Sequence, residues 1–240
     1  MSNEAKKHAR TTVAVLYGGQ STEHSVSCIS AGAVIEHLDP EIYEVVPVGI
    51  TEAGAWVPGT TDTSQLRADG RDMPRVEDGG VHVQLTFGGA GTDGSAGSGA
   101  AGEMRYVTGP QAGEVFAQVD VVFPVLHGMN GEDGTVQGVL DLAGVRYVGN
   151  GVLASAAGMD KDFTKRLARE AGIPVGEELI LSQPRELTAE EKERLGLPVF
   201  VKPARGGSSI GISKVDSWEE FDAAIDLAFS NDNKVIVELS

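Results

Sequence analysis

The chain is 240 residues long, 41% hydrophobic and 5% aromatic, enough for one large domain or two smaller ones with cores of their own, which excludes a disordered or fibrous protein. Its 35 acidic against 19 basic residues give a formal net charge of -16 at pH 7, which argues against nucleic acid as a partner, because phosphate-backbone binding draws on clustered Lys and Arg. A nucleotide stays open, since screening over about 8 Å lets a few local cations outweigh a distant acidic surface.

The start, MSNEAKKHARTT, is polar without an apolar core, and no later apolar run is long enough to span a bilayer. With a single cysteine, Cys28, there is no internal disulfide framework. The expectation is a cytoplasmic protein with a frayed N-terminus and no membrane partner. TTVAVLY (Thr11 to Tyr17) is a β-branched run ending on Gly18-Gly19, and Val26, Ile29, Ala33 and Val34 then recur at helical spacing. Strand, glycine turn and helix open a parallel α/β sheet. The intervening GGQSTEHSVS puts Glu23 and His24 near a helix N-terminus, where Glu23 either complements the helix dipole or holds a substrate ammonium.

EVVPVGI (Glu44 to Ile50) is the next predicted strand, with Pro47 pointing to an edge. VHVQLTF and VDVVFPVL (Val119 to Leu126) follow, the second apolar enough to be covered on both faces. Between them, GGAGTDGSAGSGAAG (Gly88 to Gly102) has linker composition and is expected to be a long surface loop within the first domain. LHGMNGEDGTVQG (Leu126 to Gly138) places His127 at a strand's carboxyl end, where ligands gather in open parallel sheets. Glu132 and Asp133 are expected to hold the turn and the helix start. Met129, Met159 and Cys28 are expected to pack, and His8 and His37 carry no signal.

Past residue 150 the pattern changes. A helix is predicted from Asp160 to Ala171, stopped by Gly172 and Ile173-Pro174. LPVFVKP (Leu197 to Pro203) reads as a strand, ARGGSSIGISKV as a tight Gly/Ser hairpin, SWEEFDAAIDLAF (Ser217 to Phe229) as an amphipathic helix with a Ser217/Glu220 capping box, and KVIVELS as a final strand with nothing after it to continue its sheet. RGGSSIG, directly after Lys202, suits an anion: small residues let backbone N–H groups converge, serines add donors and the lysine adds a point charge. A lysine about 4 Å from a phosphate oxygen contributes about 4 kcal/mol at an effective dielectric of 20 before desolvation. A plain β-turn beside a solvated lysine accounts for the same residues. GxxxxGK[ST] is absent from the chain, and GGQSTEHSVS is not a dinucleotide fingerprint, because it lacks GxGxxG.

Together and in this order, VAVLYGGQSTEHSVS, LHGMNGEDGTVQGVLDLAGVRYVGNGVLASAAGMDK and LPVFVKPARGGSSIGISKV resemble the D-alanine-D-alanine ligase family of the ATP-grasp superfamily. The resemblance implies an N-terminal parallel-sheet α/β substrate-binding domain over 1–150, followed over 151–240 by the nucleotide-binding first part of an α+β ATP-grasp domain. It implies a reaction in which ATP phosphorylates the carboxylate of one D-alanine and the amine of a second displaces the phosphate, giving the dipeptide used in peptidoglycan synthesis. Glu23 then matches the residue that holds the first D-alanine's ammonium, and His127 the histidine near its carboxylate. Lys161 and Lys202 match the lysines on the ATP phosphates. Ser208 matches the serine bonding toward the substrate anchor, with Gly207 and Ser209 supplying loop backbone, and Glu238 matches the acceptor for the adenine amino group.

The resemblance further implies a homodimer and two Mg2+ (or Mn2+) ions. The metal ligands, a phosphate-stabilising Arg and a covering loop lie beyond residue 240 in the family, so the 240-residue chain is expected to be incomplete and by itself inactive. A D-alanine-D-lactate or D-alanine-D-serine ligase, or a non-catalytic module, is the alternative.

Overall fold

Strand β1 (Thr11–Gly18) is buried from Val13 to its end, and the first of two units is built around it. The computed structural model describes residues 10–87 and 102–239, and the chain divides between Val152 and Leu153. After β1 the first unit holds α1 (His24–His37), β2 (Tyr43–Ile50), β3 (Trp56–Pro58), β4 (Val83–Leu85), β5 (Gly102–Tyr106), β6 (Val115–Val119), β7 (Val121–Pro124) and α2 (Thr135–Ala143). One sheet has the order β3-β2-β1-β7, with β1 parallel to both neighbours, and a second runs β4-β5-β6 antiparallel.

Several expectations change here. VDVVFPVL is not one strand: the chain passes from β6 to β7 at Asp120, whose carboxylate accepts from Thr12 N–H at 2.8 Å. The VHVQLTF segment contributes only β4, and to the small antiparallel sheet rather than to the parallel one. Pro47 is not on an edge strand, because β2 lies between β1 and β3; it faces Val15, and its carbonyl accepts from Gly59 N–H at 2.9 Å. Of the expected Gly/Ser loop, only Gly102 lies within the described residues, as does none of the frayed start before Arg10.

Helix α1 also buries a different face from the one its aliphatic residues suggest. His24, Ser27, Cys28, Ala31 and Gly32 are inside, while Val26 is 48% exposed. Small and polar side chains win because the helix comes close to the ends of β1 and β7. Ser27 Oγ accepts from Gly18 N–H at 2.8 Å and donates to Val125 O at 2.5 Å, so one hydroxyl satisfies two buried backbone groups. Burial pushes the Cys28 thiol up to about 11, which suits a packing residue rather than a nucleophile. Met129, by contrast, is 60% exposed and does not pack.

The second unit begins within α3 (Val152–Met159) and continues with α4 (Lys161–Glu170), β8 (Glu178–Leu181), α5 (Ala189–Leu195), β9 (Val199–Pro203), β10 (Ser213–Val215), α6 (Phe221–Phe229) and β11 (Val235–Leu239). Asp160 caps α4 by accepting from the N–H groups of Asp162 and Phe163, and the helix stops where Gly172 takes φ +75°. Thr188 and Glu191 form a reciprocal capping box on α5 that the sequence reading passes over. At Ser217, Glu220 accepts from the Ser217 N–H at 3.3 Å, and a short 3-10 turn, Trp218–Glu220, precedes α6.

The sheet order is β10-β9-β11-β8, antiparallel throughout. The last strand is therefore central: it needs nothing after it to continue the sheet, because β9 and β8, both earlier in the chain, flank it. Nor is the β9–β10 connection tight, since residues 204–212 form a loop between the strands. Val199, Val201, Val235, Val237 and Leu181 face α6 and form the core with Phe221, Ile225 and Ala228. The two-residue period of a strand sends Lys202, Glu238 and Glu178 to the opposite face. No helix among the described residues is long and apolar enough to cross a membrane.

Ser27→Ala should cost about 1–3 kcal/mol, because it strands two buried backbone groups. A lowered urea midpoint at unchanged slope is the expected result, and a midpoint like that of the parent protein would remove Ser27 from this account.

Candidate active site

In the first unit, two adjacent parallel strands deliver their carboxyl ends to the same place. Leu16 pairs with Pro124, and Val125 N–H donates to Leu16 O at 2.8 Å, so the Gly18-Gly19 turn and the His127-Gly128 turn are neighbours. Gly18 has φ +87°, and a β-carbon there would lie 2.4 Å from Ile50 O; only glycine fits. At Gly128, with φ +72°, a β-carbon would come within 2.6 Å of Glu23 Oε2 and 2.7 Å of Ser21 Oγ, so those side chains would have to shift. The structure thus brings Glu23 against the turn that carries His127.

His127 is half-buried, and its Nε2 lies 2.9 Å from Ser30 Oγ on α1. His24 is 2% exposed. Its Nδ1 donates to Gly19 O at 2.8 Å while Nε2 accepts from Val76 N–H at 3.0 Å, a pair of bonds that only the neutral ring makes. Glu132 and Asp133 hold the turn as expected: Glu132 accepts from Gly128 N–H at 2.7 Å, and Asp133 from Asn130 N–H at 2.9 Å and Thr135 N–H at 3.0 Å. Although burial raises it, hydrogen bonds from the Asn130 backbone and from the backbone and hydroxyl of Thr135 keep the Asp133 carboxyl below the usual range.

In the second unit, Lys161 opens α4 and reaches the loop that follows β9. Its backbone N–H donates to Ala204 O at 3.0 Å, and its ammonium to Gly206 O at 2.6 Å and Ala204 O at 3.4 Å. Burial, reinforced by the Lys202 charge, holds the Lys161 ammonium below the ordinary lysine value against the pull of Asp232, Asp160 and Glu238. Lys202 pairs with Glu238, its diagonal neighbour across β9 and β11. Lys165, one turn beyond Lys161, lies 2.7 Å from Glu238 Oε2 and 3.1 Å from Glu178 Oε2. Burial alone would raise Glu238, yet the bonds from Lys165 and Lys202 hold it below the usual carboxylate range.

The loop itself is pinned at its entry. Ala204 N–H donates to Lys234 O at 2.9 Å, and Asp232 accepts from Arg205 N–H at 2.7 Å and its guanidinium at 2.6 Å. Beyond Gly207, Ser208 (φ 49°) and Ser209 (φ 60°) both occupy the left-handed region. Two such non-glycine residues in succession are costly, and strain of this kind gathers where backbone groups are held for a ligand. The positions singled out in this part of the sequence, Lys161, Lys202, Gly207, Ser208, Ser209 and Glu238, fall on α4, β9, β11 and the loop between β9 and β10.

Lys165 and Lys234 escaped sequence reading. Lys234 bridges Asp160 at 2.6 Å and Asp162 at 3.2 Å and sits 4.8 Å from the centre of the Phe163 ring, tying the start of α4 to β11. The one available signal for Lys165 is its spacing of four from Lys161, which places both on one helix face. Among the described residues no three His, Cys, Asp or Glu side chains gather as a metal site.

Comparison with known proteins follows this geometry. Residues 12–150 match the family model described as the D-ala D-ala ligase N-terminus, and residues 167–240 the model of its C-terminus. The D-alanine--D-alanine ligase of Corynebacterium jeikeium is 98% identical over 99% of this chain and 64% of its own length; that of Corynebacterium urealyticum is 68% identical over 95% and 61%. The chain therefore spans about three fifths of the length of these relatives. Among solved structures, the Coxiella burnetii D-alanine-D-alanine ligase is 32% identical with a TM-score of 0.76, covering 96% of this chain and 62% of that one. The VanG D-Ala:D-Ser ligase of Enterococcus faecalis is 34% identical with a TM-score of 0.72, covering 97% and 63%. Over more than half of its length the sequence fits one family model, and its fold follows that of solved members, so this chain belongs to the D-alanine-D-alanine ligase family.

Proposed function

We propose that this chain carries the first-substrate site and part of the nucleotide site of a cytoplasmic, homodimeric enzyme that joins two D-alanines at the expense of ATP for peptidoglycan synthesis. The observation that carries the reading is the arrangement in the second unit: two lysines, Lys161 and Lys202, beside a strained Gly/Ser loop, with Glu238 paired to the second lysine. That donor set fits a triphosphate at one end and an amino-bearing base at the other.

A carboxylate is a poor electrophile until one of its oxygens becomes a good leaving group, which transfer of the γ-phosphoryl group from ATP supplies. The amine nitrogen of the second D-alanine then bonds to the carbonyl carbon, the carbon–oxygen bond to phosphate breaks, and the amine loses a proton. In this reading Glu23 is the carboxylate that pairs with the first D-alanine's ammonium, with its position fixed by contact with Gly128. His127, oriented by Ser30, faces the substrate carboxylate. Ser208 bonds toward the substrate anchor, while the backbone of Gly207 and Ser209 and the ammonium groups of Lys161 and Lys202 take the phosphates. Two of the three Lys161 donors already hold loop carbonyls, so the lysine shapes the loop as well as charging it. The family's chemistry calls for divalent ions such as Mg2+ or Mn2+. Among the described residues no three His, Cys, Asp or Glu side chains are placed to hold one.

The decisive assay is ADP release and dipeptide formation with ATP, Mg2+ and D-alanine, by the enzyme at the length of its curated relatives, with L-alanine alone and D-alanine plus D-lactate or D-serine as further arms. D-alanine alone should suffice. Turnover only with D-lactate or D-serine would move the reading to a related ligase, and a folded but silent enzyme would leave a non-catalytic module. The 240-residue chain run in parallel is expected to show negligible turnover, and a rate equal to the longer enzyme would overturn that.

Gly128→Ala is expected to raise the KM for D-alanine about tenfold with little change in the KM for ATP, because displacing Glu23 forfeits about 1.4 kcal/mol of substrate binding. Equal changes in both constants would argue against a local effect on Glu23. ATP affinity should also fall with rising pH, with the loss beginning earlier than an ordinary lysine, at about 10.4, would dictate. The sign follows from Lys161: its lowered value means that the ammonium is lost sooner, and with it the attraction for phosphate. Equilibrium titration of Lys161→Arg, whose charge persists, should show a flatter profile; an identical alkaline loss would sink the assignment.

A further inference from the structure

Strands β8 and β11 place Glu178 directly opposite Glu238, on the face away from the α6 core. Two carboxylates in register on neighbouring strands repel one another, and this pair is largely out of water, with side-chain exposures of 8% and 19%. The Lys165 ammonium lies between them, 3.1 Å from Glu178 Oε2 and 2.7 Å from Glu238 Oε2. Glu178 Oε2 is buried and forms this ion pair without a hydrogen bond of good geometry among the described residues. The other oxygen of Glu178 is taken by Arg169 at 2.6 Å, and the other oxygen of Glu238 by Lys202.

Lys202 has a second task in the reading above, on the phosphates. Once its ammonium turns to a phosphate, Lys165 is the cation that stays with Glu238. We propose that Lys165 is a positioning residue for recognition of the nucleotide base: seated between Glu178 and Glu238, its ammonium fixes the Glu238 carboxylate as acceptor for the exocyclic amino group of an adenine nucleotide. The inference rests on the assignment of Glu238 to the base. Burial opposes charge on Lys165, but its bonds to Glu238 and Glu178 raise it above the ordinary lysine value, so the bridge persists across the working pH range.

The test uses the enzyme at the length of its curated relatives. It measures kcat/KM for ATP and for ITP, whose base carries a carbonyl where adenine carries the amino group, together with the KM for D-alanine. Lys165→Met should lower kcat/KM for ATP about ten- to a hundredfold, the scale of a hydrogen bond to a charged group. The ratio of ATP to ITP should shrink by a similar factor while the KM for D-alanine holds. Lys165→Arg should keep most of the ratio. Adding Glu178→Gln to Lys165→Met removes the facing charge and should restore part of the ratio, a rescue that a lysine merely bracing α4 would not show.

A ratio unchanged in Lys165→Met, with Glu238→Gln losing it, overturns the role of Lys165 and leaves Glu238 in place. A parent enzyme indifferent to the base, or a Glu238→Gln variant that keeps the parent ratio, overturns both assignments. Should Lys165→Met fail to fold, Lys165→Gln takes its place with the same expectation and the same overturning result.

Discussion

The antiparallel register of β8, β11 and β9 sets the strongest electrostatic constraint in the second unit. It aligns Glu178 with Glu238 and sets Lys202 diagonally from Glu238, all on the face that α6 does not cover. Two carboxylates there need cations in reach, because partial burial weakens solvent screening and strengthens repulsion as much as attraction. Helix α4 supplies the cation through Lys165, and so its N-terminal turn, with Lys161, is brought to the loop after β9. The cap at Asp160 and the bridge from Lys234 to Asp160 and Asp162 fix the same turn from the other side.

The first unit solves a different problem with backbone rather than charge. Parallel strands end together, and the chain must leave each end without a clash. Gly18 and Gly128 adopt conformations that other residues enter only with strain; a β-carbon at Gly18 would strike backbone, and one at Gly128 would displace the Glu23 and Ser21 side chains. The polar backbone exposed by these turns is then satisfied from α1, by Ser27 on Gly18 and Val125 and by His24 on Gly19. Glu23 and His127 stand on turns held by these internal hydrogen bonds, the kind of support the substrate roles proposed for them would require.

Much of this was legible as pattern. The β-branched run ending on Gly18-Gly19, the helix beginning at Asp160 and the stop at Gly172 each act through residues a few positions apart, so local chemistry decides them. The misreadings have a common cause. Val26 looked like a core residue because aliphatic side chains usually are, yet close approach to β1 and β7 selected the smaller Ser27, Cys28 and Ala31. VIVEL looked like a strand left without a continuing sheet because it ends the sequence, although strand order does not follow chain order.

By itself the sequence determined the alternation that separates Val235 and Val237 from Glu238, the glycines at the turns and the motifs that carry the family resemblance, because each depends on neighbours along the chain. Only the tertiary structure decided which carboxylate faces Glu238, that Lys165 stands between the two, that Ser30 meets His127 and that Gly128 touches Glu23. Those pairings join residues distant in sequence, and they are set by strand register and helix docking, which no local pattern encodes.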